Sequence, residues 1–308
     1  MENFEVHHFV ATALDPLHIG TGGQRLGRVD LTVVRESVTG VPKIPGTSLS
    51  GALKFYLDLA MRCNGEKSEI CASTAGNFLK NHNRSQCPVC TLFGFTTKEL
   101  SAQGIAQFSD GVLLAYPVNT LTGPVWITTA PRLNSLCGIG NGVDDINDEY
   151  APVSPTVFAK TPLGKALNFG WVLLKQSEGH SHDYLDELVS TGIEQKYAER
   201  MVIVSEWIFA QLVNSNMEVR TSVVIDPETG AASQKGLFTY EAVARGALFC
   251  LDITVNDYNS CWAGVSSVST PMEVLRRAFP GLRSVGMGGM TSRGFGRLAL
   301  EELGKKEA

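Results

Sequence analysis

Apolar positions in this chain change period repeatedly, and each change marks an element. Phe4 to Leu14 is a short β-rich run that stops at Asp15-Pro16, which predicts a strand closed by a turn. Gly20–Gly27 holds four glycines and predicts a loop; DLTVVRE, Asp30–Glu36, predicts a strand, broken by Thr39-Gly40, Pro42 and Pro45. The period then lengthens. Leu49, Ala52, Leu53, Tyr56, Ala60 and Met61 recur at i, i+3, i+4 spacing, so a helix with one apolar face starts at Thr47 or Ser48 as its cap. Cys63 to Cys90 is polar and irregular, too long for a plain connection. Strands follow at Ile105–Val118, Val125–Thr129 and Met201–Val204, with a mobile Gly/Asn/Asp loop at Gly138–Tyr150 and a helix around Trp207–Val213. Val219, Thr221, Val223 and Ile225 alternate, Asp226-Pro227-Glu228-Thr229-Gly230 turns the chain, and Leu237–Tyr240 returns it: a projecting hairpin. Thr270, Pro271 and Glu273 form a capping box for a helix through Val274, Leu275 and Ala278 that Pro280-Gly281 stops. Val285–Leu300 is a glycine-rich loop opening into a strand, and no internal repeat is visible.

With 308 residues and 44% hydrophobic content the chain can bury a large core, as one domain or two, and no composition break divides it. MENFEVHHFVATAL lacks a basic n-region and no apolar run reaches membrane-span length, so the expected location is the cytoplasm, without membrane contact. A net charge of −5 argues against coating nucleic acid with the whole surface. It leaves room for a local groove, because Arg25, Arg28, Arg35, Lys43 and Lys54 cluster while acidic residues gather in Asp144–Glu149 and Asp183–Glu194. Seven cysteines in a chain without an export signal point to thiols or metal ligands rather than disulfides.

Four groups of residues can carry chemistry. Pro45-Gly46-Thr47-Ser48 sets helix N-terminal amides beside hydroxyls, with Lys43 and Lys54 near, which suits an anion as well as ordinary capping. Gly286, Gly288, Gly289, Gly294 and Gly296 surround Thr291, Ser292 and Arg293, so the backbone there either approaches phosphates or only shapes a turn. It is no dinucleotide fingerprint, since a strand follows and a Walker lysine is missing. Asp30 is a lone carboxylate, suited to a divalent ion or to orienting a ribose 2′-OH, or to pairing with Arg25 or Arg28; His18 is an acid or orienting group, or structural. Cys63, Cys71, Cys87 and Cys90, with His82 as a substitute, make a tetrahedral zinc set or remain free thiols; Cys137, Cys250 and Cys261 read as packing residues. The set argues against a catalytic zinc deaminase, because its H-x-E partner and P-C-x-x-C order are both missing.

Five segments together resemble the RAMP proteins of type III CRISPR effectors, and more narrowly the Cmr-type backbone subunit of III-B complexes: HIGTGGQRLGRVDL, VPKIPGTSLSGALK, FSDGVLLAYPV, VIDPETG and GMGGMTSRGFGRLAL. The resemblance implies an α+β fold, an RRM/ferredoxin-like core with inserted subdomains and a protruding β-hairpin thumb. It implies one domain over 1–308, with 63–100 a Cys-rich insertion and 217–240 the thumb. Copies would stack along a CRISPR RNA beside other type III effector subunits and meet target RNA. Gly46 to Lys54 and the loop around Arg293 would hold guide phosphates, and Ile225, Asp226 and Pro227 would wedge the guide and target duplex at regular intervals. Asp30 matches the family's position for target-RNA cleavage with Mg2+ or Mn2+, in which 2′-OH attack leaves a cyclic phosphate and a 5′-hydroxyl. CPVCTLFG is closer to the Csm-type backbone subunit, whose cysteine cluster binds zinc. The alternative is a non-catalytic guide-binding filament subunit with Asp30 inert.

Overall fold

The computed structural model describes residues 4–24, 29–65, 71, 83–96, 100–139, 146, 148–154, 165–178, 183–231, 237–265 and 269–304. The core follows chain order as β1 (Phe4–Ala13), α1 (Gly46–Cys63), strand Gly111–Thr120, strand Leu248–Asn256, helices Pro271–Arg276 and Phe279–Ser284, and strand Leu298–Glu302. In space the strands lie in the order 298–302, 4–13, 248–256, 111–120, every pair antiparallel. That is the split β-α-β-β-α-β arrangement of ferredoxin-like folds.

Strand alternation decides which face each residue serves. Phe9, Ala11, Phe249, Leu251 and Ile253 pack on the helical side with Leu49, Leu53, Leu57 and Met61 of α1. Each fully buried leucine there contributes about 2 kcal/mol. Val10, Leu114, Leu248 and Cys250 point the other way, under Leu133, Cys137, Leu188, Ile193 and Tyr197. In RRM modules the open sheet face stacks bases; here that face is buried by the segments at 133–139 and 185–198.

Insertions fill the connections. Gly123–Thr128, Met201–Ile203, Glu149–Pro152, Val172–Gln176 and Ala166–Phe169 extend the main sheet past Gly111–Thr120. A second, four-stranded sheet joins β2 (Gly20–Gln24) and β3 (Leu31–Val33), from the first connection, to Glu218–Ser222 and Phe238–Ala242, from the long one; β4 (Lys43–Ile44) leads into α1. The last two strands of that sheet pair antiparallel as the expected hairpin.

Local corrections have physical causes. Gly20–Gln24 is an edge strand rather than loop, since backbone pairing to β3 outweighs its glycines. The strand expected at Asp30–Glu36 is laddered only over Leu31–Val33, and Arg35 then bridges to Pro42. Pro280-Gly281 does not stop the helical region: Pro280 sits in the first turn of Phe279–Ser284, where a missing N–H is harmless. The capping box of Thr270 and Glu273 is present. The middle of the Gly138–Tyr150 loop, 140–145 and 147, lies outside the described residues, but Ile139 and Ile146 are buried and Glu149–Pro152 is a strand. Among the described residues no helix is long and apolar enough to cross a membrane.

Candidate nucleic-acid interface at the small sheet

Phe238–Ala242 organises the site. Its middle residue, Tyr240, packs with Ala242 and Phe295 under the sheet, while Thr239 and Glu241 point to the opposite side. Asp30 immediately precedes β3, which pairs parallel with this strand at Leu31 and Tyr240. The Thr239 N–H donates to Asp30 Oδ2 at 2.7 Å and the Thr239 hydroxyl donates to the same oxygen at 2.9 Å. The Asp30 N–H in turn donates to Thr239 Oγ1 at 3.1 Å. The Thr239 backbone bond, then its hydroxyl, hold the exposed carboxyl below its ordinary range, so at neutral pH it is an ionised, solvent-facing acceptor.

Two residues further along, Glu241 is buried and accepts from Val33 N–H at 2.8 Å and from both Nη atoms of Arg35 at 3.0 Å. Arg35 is therefore neutralised within the fold. The Glu241 carbonyl accepts from His18 Nδ1 at 2.6 Å. A carbonyl only accepts, so Nδ1 carries a proton. His18 is itself 5% exposed, lies edge-on to Tyr240, and receives Gly289 N–H on its backbone oxygen at 2.8 Å. Gly288 has φ +85°, and a Cβ there would lie 2.5 Å from the His18 oxygen, so only glycine lets the last loop close on the first motif. His18, Gly20, Thr21, Gly22, Leu31, Thr32 and Gly289 line an open groove of 420 Å³.

The structure thus brings His18 and the small sheet carrying Asp30 together with the glycine-rich loop and the hairpin root. Thr291–Arg293 forms one 3₁₀ turn, with Ser292 and Arg293 exposed and Arg293 Nη1 donating to Ser222 Oγ at 3.3 Å on the hairpin. Arg25 and Arg28 lie outside the described residues, and so does their expected pairing with Asp30. The hairpin turn is tied by Asp226 N–H to the Ala231 oxygen (2.9 Å), Gly230 N–H to the Asp226 oxygen (2.8 Å) and Glu228 N–H to Asp226 Oδ1 (2.9 Å). Val223, Val224, Ile225 and Pro227 are exposed beside it.

At α1 the expectation is corrected. Neither Thr47 nor Ser48 caps it: Pro45 holds the cap position, and Gly46 N–H donates to Asp110 Oδ1 at 2.8 Å. Asp110 Oδ2 also pairs with Lys43 Nζ at 2.5 Å, so the protein's own carboxylate takes the first amide and one of the lysines of this helix start. Gly46 allows a close approach, since a Cβ would meet the Phe108 oxygen at 2.4 Å. Lys54 Nζ donates to the Gly94 oxygen at 3.1 Å. Thr47 is exposed and Ser48 half-buried. The missed residue, Asp110, stood in FSDGVLLAYPV, where Asp before Gly signals a capping carboxylate only once its distant helix is known.

Three of the four cysteines named in the sequence come together. Cys87 starts the short helix α2 (Pro88–Phe93), so Cys87 and Cys90 share its first turn, and Cys71 joins them. The three buried sulfurs lie within 4.8 Å of one another, with Cys71 and Cys87 at 3.5 Å. A tetrahedral edge for Zn–S bonds of about 2.3 Å is roughly 3.8 Å, so the spacing suits zinc. Hydrogen bonding with Cys71 and then Cys87, with burial, raises the Cys90 thiol above its ordinary range. Asp58, buried on α1, accepts from Cys71 N–H at 2.9 Å. Cys63 is exposed at the end of α1, outside the cluster, and His82 lies outside the described residues.

Known proteins share this fold. The chain is 26% identical over 305 residues, 94% of both chains, to the CRISPR system Cmr endoribonuclease Cmr4 of Pyrococcus furiosus. Its fold matches a chain of the type III-B Cmr-beta apo structure with a TM-score of 0.66 at 16% identity, over 96% of each. It matches oligomeric Cmr4 from Pyrococcus furiosus with a TM-score of 0.58 at 18% identity, over 96% and 98%. Residues 10–299 match the RAMP superfamily, the family to which this chain belongs.

Proposed function

We propose that this chain is a guide-RNA-binding backbone subunit of a type III-B CRISPR effector that cleaves complementary target RNA. The observation that carries the reading is the shared position of Asp30 and the hairpin: the carboxylate is bonded to Thr239, at the hairpin's root, so a base wedge and a cutting group form one unit. Resemblance to the Pyrococcus Cmr endoribonuclease over 94% of both chains supports it. The RRM-like sheet face is buried while the small sheet keeps an open groove at Leu31 and Thr32, which supports reading that sheet as a surface for RNA.

In this reading Arg293, Ser292 and Thr291 meet guide phosphates, joined by Thr47 and Ser48, while Lys43, Gly46 and Lys54 act indirectly by fixing α1. The exposed Val223–Pro227 segment wedges the duplex. Thr239 ties up Asp30 Oδ2, and the second oxygen orients the ribose 2′-OH as it attacks the adjacent phosphate. The 2′-O–P bond forms as the 2′-OH proton passes to solvent, the P–O5′ bond breaks as the leaving oxygen takes a proton from water, and the products end in a cyclic phosphate and a 5′-hydroxyl. Mg2+ is commonly held by one or two carboxylates plus substrate phosphates, a donor set that Asp30 and bound RNA supply, and Mg2+ or Mn2+ there would stabilise charge on the phosphoryl oxygens. His18, with its proton fixed on Nδ1, supports the groove. Zinc at Cys71, Cys87 and Cys90 would staple the 83–96 segment to α1, completed by a fourth donor.

One observation favours the filament-only reading: the Asp30 and Thr239 bonds also hold the small sheet together, a structural task complete in itself. Product chemistry separates the two. The complex assembled with its guide and partner subunits, given complementary RNA and magnesium, should yield fragments with cyclic phosphate and 5′-hydroxyl ends. Tight target binding without cleavage would leave only the filament reading, and 5′-phosphate ends would overturn the mechanism.

A further inference from the structure

We infer that Thr239 is a positioning residue for target cleavage, fixing the Asp30 carboxylate through a closed ring of hydrogen bonds and so locking the cutting group to the hairpin. This rests on the proposed role of Asp30. The hydroxyl accepts from Asp30 N–H at 3.1 Å while donating to Asp30 Oδ2 at 2.9 Å, and the Thr239 N–H donates to the same oxygen at 2.7 Å. An exposed aspartate free of such bonds would rotate about two side-chain torsions in solvent. Here both Thr239 bonds end on Oδ2, which selects one orientation before substrate arrives, and a pre-set geometry of reacting groups is worth large factors in rate.

The same strand makes a second anchor two residues on. Glu241 lies on the Thr239 side of the strand and binds Val33 N–H and Arg35, so β3 is held on both sides of Leu31. Its carbonyl also fixes His18. A displacement of the hairpin therefore moves Asp30 with it, and the distance from wedge to cut is set by the strand.

Thr239→Val keeps shape and strand preference but removes both hydroxyl bonds; Thr239→Ser restores them. In assembled complexes, single-turnover cleavage and target-RNA affinity are measured separately. Thr239→Val is expected to cut about tenfold more slowly, with affinity and cut spacing unchanged, and Thr239→Ser to cut within about twofold of the parent. Parental rates in Thr239→Val, an equal loss in Thr239→Ser, or a rate loss that tracks affinity would overturn the inference. Asp30→Ala is run beside them. If it still cuts, the reading of Asp30 fails; if it is inactive while Thr239→Val is unaffected, only the role of Thr239 fails.

Discussion

At Gly46 the first free amide of α1 turns to Asp110, because the chain at Phe108 and Ser109 passes close enough for its carbonyls to touch a missing Cβ. Local propensity gave a cap two or three residues late, since Pro45 holds the cap position and the carboxylate that takes the first amide is 64 residues from Gly46. Asp110→Asn keeps an acceptor for the Gly46 amide but removes the charge that pairs with Lys43, and should lower stability by about 0.5–1 kcal/mol at neutral pH. The Gly46 amide and then Lys43 hold the Asp110 carboxyl below its ordinary value of 3.8, so its contribution is present above that value and lost as pH falls through the lower, folded-state value. Urea melts on the acid side should therefore show a shallower pH slope for Asp110→Asn; an unchanged slope would remove Asp110 from this role. Gly46→Ala should cost about 1–3 kcal/mol by overpacking. A melting temperature equal to the parent's would show that the close approach to Phe108 is relieved elsewhere.

Elements with a sustained period were legible: the α1 stripe of Leu49, Leu53, Tyr56 and Met61 is buried, and the hairpin at Glu218–Ser222 and Phe238–Ala242 pairs. The glycine-rich β2 was not, because edge pairing with β3, rather than its own residues, makes it a strand. Nor was the bond between Asp30 and Thr239, which joins residues 209 apart through a sheet that exists only once two insertions meet. That sheet also limits how the hairpin can be trimmed. Removing 217–240 would take Thr239 away from Asp30, so the informative change replaces 223–237 with an Asn-Gly turn, which two antiparallel strands accept. The variant should melt within a few degrees of the parent and assemble, yet lose the regular spacing of target cuts. Regular cuts from the trimmed protein would separate the hairpin from cut placement.

Across the whole molecule, the strand order 298–302, 4–13, 248–256, 111–120 follows from motifs recognisable in the sequence, whereas burial of the second sheet face does not, because Leu133, Leu188 and Tyr197 belong to connections with weak patterns. The cysteine set was legible through its C-x-x-C pair, while Cys63 was drawn in by proximity in sequence and lies exposed. Elemental analysis of protein purified under reducing conditions should find about one zinc per chain, and Cys90→Ser should lose it with a fall in melting temperature. A metal-free parent with unchanged stability after chelation would leave three packed thiols. The central claim, that the carboxylate at the hairpin root cuts RNA laid across the small sheet, is tested most directly by the Asp30→Ala complex with complementary RNA and magnesium. Target binding at parental affinity with loss of every regularly spaced cut is the expected result; the same ladder of cuts at the parental rate would contradict it.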